Sequence, residues 1–538
     1  MIDVLVVGAG PTGLTLACEL RRHGASVRII DQRGVHVDRS RAVDVQSRTL
    51  EAFNDMGVSS AFLRRGRRIT SLGVYDSPRR IAKVEYKTKE APFPFVVAIP
   101  QTETETILEQ HLHALGGRVD RGVRFRTFEQ RGDGVRVAVT ERDGTEGVVE
   151  AGWIVGCDGA ASTVRFEAKI EFVASGPARR FISADATMDW ALPSDEVSLF
   201  LADDTFVLVL PLPGERRVRI LADIADNAKK PADLEAFANI ASKRMGAPLT
   251  LQQPGYLSTH HVRRHLAKQF RQGRALLAGD AAHTYDPVGG HGMNQGIQDA
   301  YNLGWKLAAT ARGGTSERLI NTYGTERHAS AANFAREMDF GARLLLSRQG
   351  VAPEDHETLM GFAVKSSGAR RGLLDSALER LSVYDKNVFV RDELGANVPA
   401  TDKAPAGSRA PNVHLDETRG DMLDVLRGTH VSVLLFAGSA ISGDEALRGH
   451  ELVSLADTLT RRWSKWLRVW LVVEQDRDAT WSSNTISDRQ GQLHRRFGAV
   501  YPSAFVIRPD GHIGLRAIPA SDAVVIRYLE QLLGSGAS

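Results

Sequence analysis

The first thirty residues alternate between apolar runs and a glycine-rich turn. The apolar run 2–7 predicts a buried strand, and the glycine-rich stretch 8–13 follows it directly. Apolar side chains at helical spacing over 14–20 predict a helix, and the run 27–30 predicts a second strand that ends at Asp31. This order is typical of a strand–helix–strand unit in which the strands are parallel.

Two later stretches have the same organisation. Residues 153–159 and 275–280 each begin as an apolar strand and end in an acid and a glycine, as Asp158–Gly159 and Gly279–Asp280. A helix follows the second stretch, from about 293 to 309. Because α/β folds bind ligands at the carboxyl ends of their strands, three such strand ends indicate one long ligand lying across a sheet.

The rest of the chain is predicted to contain mostly short strands. Alternation between about 181 and 261 predicts an antiparallel sheet, and a stretch rich in Pro, Ala, Gly and Ser at 396–411 predicts a linker or a domain boundary. The remaining predicted elements are strands at 123–128, 135–139, 148–150, 431–436, 466–473 and 504–507, and helices at 100–112, 322–346 and 522–533.

Composition excludes several classes of protein. A chain of 538 residues suggests about three domains, and 43% hydrophobic with 25% charged residues is ordinary for a soluble protein. A net charge of +3 does not imply nucleic acid or a membrane surface as a partner. Cys18 and Cys157 are the only cysteines, so a disulfide framework and a cysteine metal site are not expected, and no metal is predicted. The apolar start lacks a basic region, and no apolar run approaches about 20 residues, so we expect a cytoplasmic protein.

The N-terminal glycines have the context of a dinucleotide fingerprint. Gly8 makes the turn, Gly10 lets a pyrophosphate approach, and Gly13 lets helix and strand pack closely. Asp31 follows at the expected distance of about 20 residues and can accept hydrogen bonds from ribose hydroxyls. At this point FAD and NAD both remain open.

The loop before the helix at 293 suits an anionic group. Gly289, Gly290 and Gly292 leave backbone N–H groups uncovered, and the positive end of the helix is directed at the same place. A group that becomes negative when it is reduced would be stabilised there.

Four polar residues near the N-terminus have two interpretations each. Arg33 and Arg41 are candidates to neutralise the pyrophosphate, or they are solvated arginines. Asp44 is a base or substrate contact, or a helix cap, and Gln101 is a cofactor contact or a cap.

Together these motifs resemble the FAD-dependent aromatic hydroxylases of the para-hydroxybenzoate hydroxylase type, which are single-component flavoprotein monooxygenases. The phenol, hydroxyphenylpropionate and polyketide hydroxylases resemble the chain most. The shared positions cover about the first 345 residues and are Gly8-x-Gly10-x-x-Gly13, Cys157-Asp158-Gly159-x-x-Ser162-x-x-Arg165, Gly279-Asp280-Ala281-Ala282-His283, Pro287, Gly289-Gly290, Gly292, Asn294, Asp299-Ala300-x-Asn302-Leu303 and Trp305-Lys306-Leu307.

The resemblance implies a fold of mixed α/β and α+β class. A Rossmann-type FAD-binding domain (1–72, 100–178 and 262–395) would be interleaved with an antiparallel-sheet substrate domain (73–99 and 179–261). A thioredoxin-like C-terminal domain (396–538) would complete the chain. That domain has no cysteine, so packing or oligomer contacts are its expected role, and a homodimer is one expectation.

The resemblance also implies the reaction and its site. NADH or NADPH would reduce FAD, dioxygen would form a C4a-hydroperoxide, and its distal oxygen would pass to a phenolic or polycyclic aromatic substrate. Pro287 would lie near the flavin C4a edge, and the backbone from Gly290 to Asn294 near its N1–C2 edge. The implied FAD contacts are Gly8, Gly10, Pro11, Thr12, Gly13, Asp31, Gln32, Arg33, Arg41, Gln101, Asp158, Gly159, Gly279, Asp280, Pro287, Gly290, His291, Gly292, Met293 and Asn294, and the candidate catalytic residues are Pro287, His291 and Asp44.

Two positions depart from the family pattern, and several alternatives stay open. His291 stands where glutamine is expected, and Asp44 lies one residue from the register of a catalytic aspartate in some phenol hydroxylases. The same fold supports epoxidising, Baeyer–Villiger and dehalogenating monooxygenases. A non-catalytic flavin-binding module and an NAD-dependent dehydrogenase are the alternatives from other classes.

Overall fold

A computed structural model describes residues 1–35, 42–87, 91–189, 192–202, 205–225, 231, 233–287, 290–313, 317–346, 383–396, 398, 401–439, 445–474 and 484–534. The helices are α1 (Pro11–Arg22), α2 (Ser47–Met56), α3 (Ser59–Arg65), α4 (Gln101–Ala114), α5 (Thr163–Glu167), α6 (Leu234–Met245), α7 (His291–Ala311), α8 (Arg318–Leu346), α9 (Met422–Leu426), α10 (Glu445–Trp463), α11 (Gln492–Phe497) and α12 (Asp522–Leu533).

The strands are β1 (Ile2–Val7), β2 (Val27–Asp31), β3 (Asp44–Val45), β4 (Arg67–Ile69), β5 (Ser71–Asp76), β6 (Arg79–Glu85), β7 (Val96–Ala98), β8 (Val119–Arg121), β9 (Arg124–Arg131), β10 (Gly134–Thr140), β11 (Glu146–Gly156), β12 (Phe172–Met188), β13 (Glu196–Ala202), β14 (Thr205–Pro211), β15 (Arg217–Ile224), β16 (Leu251–Ala267), β17 (Arg271–Gln272), β18 (Ala275–Leu277), β19 (His283–Thr284), β20 (Arg391–Leu394), β21 (His414–Asp416), β22 (Gly420–Asp421), β23 (Val431–Phe436), β24 (Leu467–Val473), β25 (Thr485–Ser487), β26 (Ser503–Ile507) and β27 (Ile513–Ile518).

The described chain divides into two compact units. Unit 1 contains Met1–Cys18, Val27–Ala300 and the described residues from Ala331 to 346. Unit 2 contains Glu19–Ser26, Tyr301–Ser330 and the described residues from 383 to 534.

The first sheet of unit 1 has the order β17-β18-β11-β1-β2-β8, with β10 and β9 attached to β11. Strands β18, β11, β1, β2 and β8 run parallel. In the register, Val7 of β1 lies beside Gly156 of β11, which lies beside Leu277 of β18. The three predicted strand ends therefore meet at one edge of one sheet, and the predicted mixed α/β fold is confirmed.

Strand β11 is longer than the sequence pattern predicted. The predicted strands at 148–150 and 153–157 are one strand, because its first half pairs antiparallel with β10 and its second half pairs parallel with β1. Small residues at its centre, Ala151 and Gly152, interrupt the apolar run without interrupting the ladder.

The second sheet of unit 1 has the order β19-β16-β12-β15-β14-β13-β5-β6. Its neighbours are antiparallel except β13 and β5, so the antiparallel sheet predicted over 181–261 is confirmed. One face packs on α6, where Phe200 and Ile220 share a core with Phe237. The opposite face contacts a small sheet of β3, β7 and β4 through Leu210 and Ala98.

Unit 2 is built on the sheet β20-β27-β26-β23-β24-β25, in which β23 and β24 are parallel and β26 and β27 are antiparallel. Helices α10 and α12 pack on it around Leu455, Trp463 and Tyr528. Ala404, Ala406 and Ala410 are buried, so the linker interpretation of 396–411 is wrong for these residues, whose small side chains pack in a core. The other interpretation, a domain boundary, stays a prediction. Among the described helices, none is both long and apolar enough to cross a bilayer.

Candidate active site

The turn after β1 is shaped by its glycines. Gly8 has a positive φ of 102°, and its N–H donates to Ile30 O at 2.8 Å. A Cβ at Gly13 would overlap the carbonyl oxygen of Gly8, whereas a Cβ at Gly10 would have nothing within 4 Å. The turn is therefore packed closely on the side of the helix, which begins at Pro11, and open at Gly10, as a pyrophosphate site requires.

Asp31 is held at the end of β2 by several donors. Its Oδ2 accepts the Ala9 N–H at 2.9 Å, and its carboxylate accepts Arg33 Nε at 3.0 Å and Arg33 Nη2 at 2.9 Å. Burial alone would raise the pKa of Asp31, but the hydrogen bonds from Arg33 and Ala9 outweigh it and lower that pKa. In this structure Arg33 pairs with Asp31, while Gln32 is exposed and Arg41 lies outside the described residues.

Asp158 accepts hydrogen bonds from the start of the next helix, whose N-cap is Ser162. Its carboxylate accepts the Ser162 hydroxyl and the N–H groups of Thr163, at 2.7 Å, and Val164, at 3.2 Å. Burial raises the pKa of Asp158, and these hydrogen bonds offset only part of that rise. Gly159 follows with φ 83°, and a Cβ there would meet nothing within 4 Å. The backbone after Asp158 is thus open to a ligand, whereas the carboxylate is engaged with the helix.

Thr12 brings the first and third strand ends together. A Cβ at Gly279 would lie 2.5 Å from Thr12 Oγ1, and a Cβ at Gly296 would overlap the same atom. Gly279 also has a positive φ of 63°, and the 3₁₀ turn that it begins carries the exposed Asp280. Helix α1 can approach both the Asp280 turn and α7 this closely because the contact positions, Gly279 and Gly296, are glycines.

A buried carboxylate holds this turn. Asp299 Oδ2 accepts the Gly279 N–H at 3.0 Å and contacts His283 Nε2 at 2.6 Å, and both side chains are fully buried. Because a carboxylate accepts, His283 must donate from Nε2. The sequence motif included both residues without indicating this contact.

Arg165 joins the second and third strand ends, which sequence reasoning missed. Its Nη2 donates to Ala160 O at 2.7 Å and its Nη1 to Ala281 O at 2.8 Å. Its guanidinium also lies 3.8 Å from the centre of the Phe172 ring. The only sequence signal was a basic residue at the end of the second motif.

The glycine loop is tied to β3. A Cβ at Gly290, which has φ 70°, would overlap the carboxylate of Asp44, so that carboxylate lies directly against the loop. Asn294 Nδ2 donates to Asp44 O at 3.1 Å and to Gly290 O at 2.8 Å, while its Oδ1 accepts the Gln46 N–H at 3.0 Å. The side chain of Asn294 is therefore used within the protein. Val288 and Gly289 lie outside the described residues.

Helix α7 begins at this loop with His291. The His291 Nδ1 lies 3.0 Å from Gln46 Nε2, and the ring packs edge-on against Phe334 at 4.5 Å between centroids. Gly292, in the first turn, has open space where a Cβ would stand. The first turn of α7, which includes Met293, has N–H groups without intrahelical acceptors, and these are available to an anionic group.

Two predicted capping roles are wrong in the structure, while the cofactor contact of Gln101 stays a prediction. Gln101 Oε1 accepts the Ala42 N–H at 3.2 Å and its Nε2 donates to Glu105 at 2.8 Å, so its amide is engaged by the protein. Gln101 is also not a cap, since Pro100 is the N-cap of α4. The capping role for Asp44 is wrong as well, because Gln46 is the N-cap of α2 and Asp44 pairs with Ala98 in a strand.

The cysteine before Asp158 is buried against the first turn. Cys157 is 9% exposed, and burial together with the Asp158 and Asp299 charges raises the pKa of its thiol. Cys18 is fully buried and its Sγ lies 3.5 Å from Leu108 O. In the described chain, no group of His, Cys, Asp and Glu side chains is arranged to hold a metal ion.

Comparison with known families agrees with this geometry. Residues 1–338 match the FAD binding domain family. The 6-methylpretetramide 4-monooxygenase of Streptomyces rimosus is 35% identical over 355 residues, which are 65% of this chain and 63% of that protein. The pentachlorophenol 4-monooxygenase of Sphingobium chlorophenolicum is 28% identical over 97% of both chains. The rifampicin monooxygenase of Rhodococcus hoagii is 32% identical over 82% of this chain and 88% of that protein. The chain thus spans less than two thirds of the first relative and most of the other two.

Solved structures with the same fold extend over the whole chain. The OxyS anhydrotetracycline hydroxylase from Streptomyces rimosus superposes with a TM-score of 0.76, 26% identity and complete coverage of both chains. The flavin-dependent monooxygenase PieE, in complex with FAD and substrate, gives a TM-score of 0.79 at 21% identity, with 98% of this chain and 99% of that chain covered. At that identity the second likeness shows the fold alone.

Proposed function

The chain belongs to the FAD binding domain family, and from this premise we propose that it is an FAD-dependent aromatic monooxygenase. It would use NADH or NADPH and dioxygen to hydroxylate a phenolic or polycyclic aromatic substrate. The names of the related proteins support this proposal, since they are monooxygenases and hydroxylases of aromatic and polyketide compounds.

The convergence of three strand ends is the observation that carries the proposal. The Gly8–Gly13 turn would bind the pyrophosphate, Asp31 the adenosine ribose, and Asp280 the ribityl chain. The fit is supported by open backbone at Gly10 and Gly292, where a Cβ would have no neighbour within 4 Å. When bound, FAD supplies the chemistry that accepts a hydride from the nicotinamide and passes electrons to dioxygen.

The chain's own residues would stabilise negative charge, polarise a substrate hydroxyl and exclude water from the site. The N–H groups and dipole of α7 would stabilise negative charge at its first turn, near His291. Asp44, whose carboxylate lies against Gly290, is proposed to polarise or deprotonate a substrate hydroxyl. Pro287 would form the wall beside the reacting edge, and with the rest of the loop it would exclude water.

The finer domain assignment is also part of the proposal. We assign 1–72, 100–178 and 262–395 to the FAD-binding domain, 73–99 and 179–261 to the substrate domain, and 396–538 to a thioredoxin-like domain. The parallel pair β23–β24 with α10 between its strands, followed by the antiparallel pair β26–β27 and α12, supports the last assignment. Light scattering of the purified protein would test the predicted homodimer.

The proposal is tested by three measurements on the purified protein. An absorbance spectrum should show bound flavin, oxidation of NADH or NADPH should be stimulated by phenols, and mass spectrometry should find a product heavier by one oxygen. Asp280→Ala should lose FAD or most of the activity. A colourless protein that cannot be reconstituted with FAD would refute the proposal.

A further inference from the structure

One face of the large antiparallel sheet changes from apolar to polar across its strands. Leu199, Leu208 and Leu221 are directly paired neighbours on β13, β14 and β15, and the same row continues through Ser183 on β12 and Ser258 on β16. Residues that are directly paired place their side chains on the same face of a sheet. The row therefore runs from leucine at one end to serine at the other.

The adjacent row places a buried ion pair beside a tyrosine. Leu210 is paired with Arg219, Arg219 with Asp185, and Asp185 with Tyr256. The guanidinium of Arg219 donates to both carboxylate oxygens of Asp185, and both side chains are buried. The same guanidinium lies 5.1 Å from the centre of the Tyr256 ring. The ion pair thus fixes the position of the tyrosine.

Two hydroxyl groups meet at one imidazole nitrogen. His260 Nε2 lies 3.1 Å from the Tyr256 hydroxyl oxygen and 3.0 Å from Ser183 Oγ. A ring nitrogen carries either one hydrogen or one lone pair, so it forms a full hydrogen bond with only one of the two hydroxyls. The other hydroxyl keeps hydrogen-bonding capacity, and Tyr256 and His260 are only half-buried.

The apolar end of this face borders the carboxylate proposed for catalysis. Leu210 and Ala98 belong to one packed cluster, Ala98 is paired with Asp44, and the Asp44 carboxylate lies against Gly290. Leu208 at the apolar end and Tyr256 and His260 at the polar end are half-buried, so a ligand can reach this face at these positions. Their neighbours Leu199, Leu221 and Ser183 are buried.

We propose that Ser183, Tyr256 and His260 bind a ring hydroxyl or carbonyl of a planar fused-ring substrate, whose apolar rings lie on the leucine end of the same face. This deepens the proposed function and rests on it. Leu208 and Ser183 are separated by two strand spacings, about 10 Å. Several fused rings span such a length and a single ring does not, so the site favours a polycyclic substrate over a simple phenol.

Equilibrium dialysis of the FAD-loaded protein with 1,8-dihydroxyanthraquinone and with phenol tests this site. The wild-type protein should bind the three-ring compound more tightly than phenol. Tyr256→Phe and His260→Asn should each weaken binding of the three-ring compound about tenfold, as the loss of one hydrogen bond predicts. Binding of phenol should change less than twofold, because one ring placed near Asp44 does not reach the polar end.

The neighbouring His261 provides the matched control. It is exposed and lies on the opposite face of β16, paired with Arg180, so His261→Asn should leave both affinities unchanged. The proposal would be overturned if Tyr256→Phe and His260→Asn both bound the three-ring compound as tightly as the wild-type protein does. It would also be overturned if the wild-type protein bound neither compound. If instead the proposed function is wrong, the protein will not take up FAD, which its absorbance spectrum shows independently of the dialysis.

Discussion

Replacing Asp299 by alanine should loosen the turn that carries Asp280. In the native protein Asp299 Oδ2 accepts hydrogen bonds from the Gly279 N–H and from His283 Nε2, at 3.0 and 2.6 Å. Alanine would leave both donors buried without their acceptor, and each such loss costs about 1–3 kcal/mol. We therefore expect the free energy of unfolding to fall by about 2–6 kcal/mol.

The conservative variant Asp299→Asn should have an intermediate effect. Both donors reach the same oxygen, Oδ2, so the amide oxygen of asparagine can accept both, but a neutral oxygen forms weaker hydrogen bonds than a carboxylate. We expect the free energy of unfolding to fall by about 1–3 kcal/mol. Binding of FAD should also weaken, because Gly279 holds the turn that carries Asp280, the proposed FAD contact.

Urea unfolding followed by tryptophan fluorescence, together with FAD titration, measures both effects. Asp133→Ala is the control, since Asp133 is exposed in a hairpin turn and its loss should change stability by less than about 0.5 kcal/mol. If Asp299→Ala and Asp133→Ala unfold at the same urea concentration as the wild type, the contact with Gly279 and His283 does not stabilise the turn.

Three further predictions follow from other parts of the structure. Gly290→Ala should destabilise the protein by about 2–4 kcal/mol in urea unfolding, because a residue with φ 70° would carry a Cβ that overlaps the Asp44 carboxylate. Burial lowers the pKa of His23 to about 3, so the unfolded chain binds a proton more readily than the folded protein below pH 6.5. The free energy of unfolding should therefore fall by about 2 kcal/mol at pH 5, and His23→Gln should make it less dependent on pH over that range. Arg508→Met should cost about 3–5 kcal/mol, because it removes the guanidinium that pairs with the buried carboxylates of Glu326 and Asp510. Adding Asp510→Asn should restore part of the stability measured by thermal unfolding, since Glu326 keeps the Lys306 ammonium at 2.6 Å.

The strand ends of the site could be predicted because they depend on local sequence. An apolar run followed by a glycine and an acid is a short-range pattern, and strands β1, β11 and β18 end where that pattern predicts. Their meeting at one edge also follows from the rule that parallel strands share a carboxyl edge.

The partners of the polar side chains could not be predicted in the same way. Asn294 and Gln101 carry amides that suit a cofactor as well as a backbone group, and the pattern around each residue is the same in either case. The structure pairs Asn294 with Gln46, 248 residues earlier in the chain, and Gln101 with Ala42. Only the folded chain brings such groups within hydrogen-bonding distance.

The segment around Asp44 shows tertiary pairing overriding local preference. The local sequence allows Asp44 to be a helix cap, yet Asp44 and Val45 pair with Ala98 and Val97 and the helix begins only at Ser47. That pairing turns the Asp44 carboxylate towards Gly290, which local propensity does not predict.

The burial of both thiols has a consequence for survival during turnover. An enzyme that passes electrons from a flavin to dioxygen releases hydrogen peroxide when no oxygen atom is transferred to a substrate. Hydrogen peroxide oxidises exposed thiolates. Cys18 is fully buried, and Cys157 is shielded and kept protonated by its raised pKa. With no other cysteine in the chain, we expect the proposed monooxygenase to lose little activity through oxidation of its thiols.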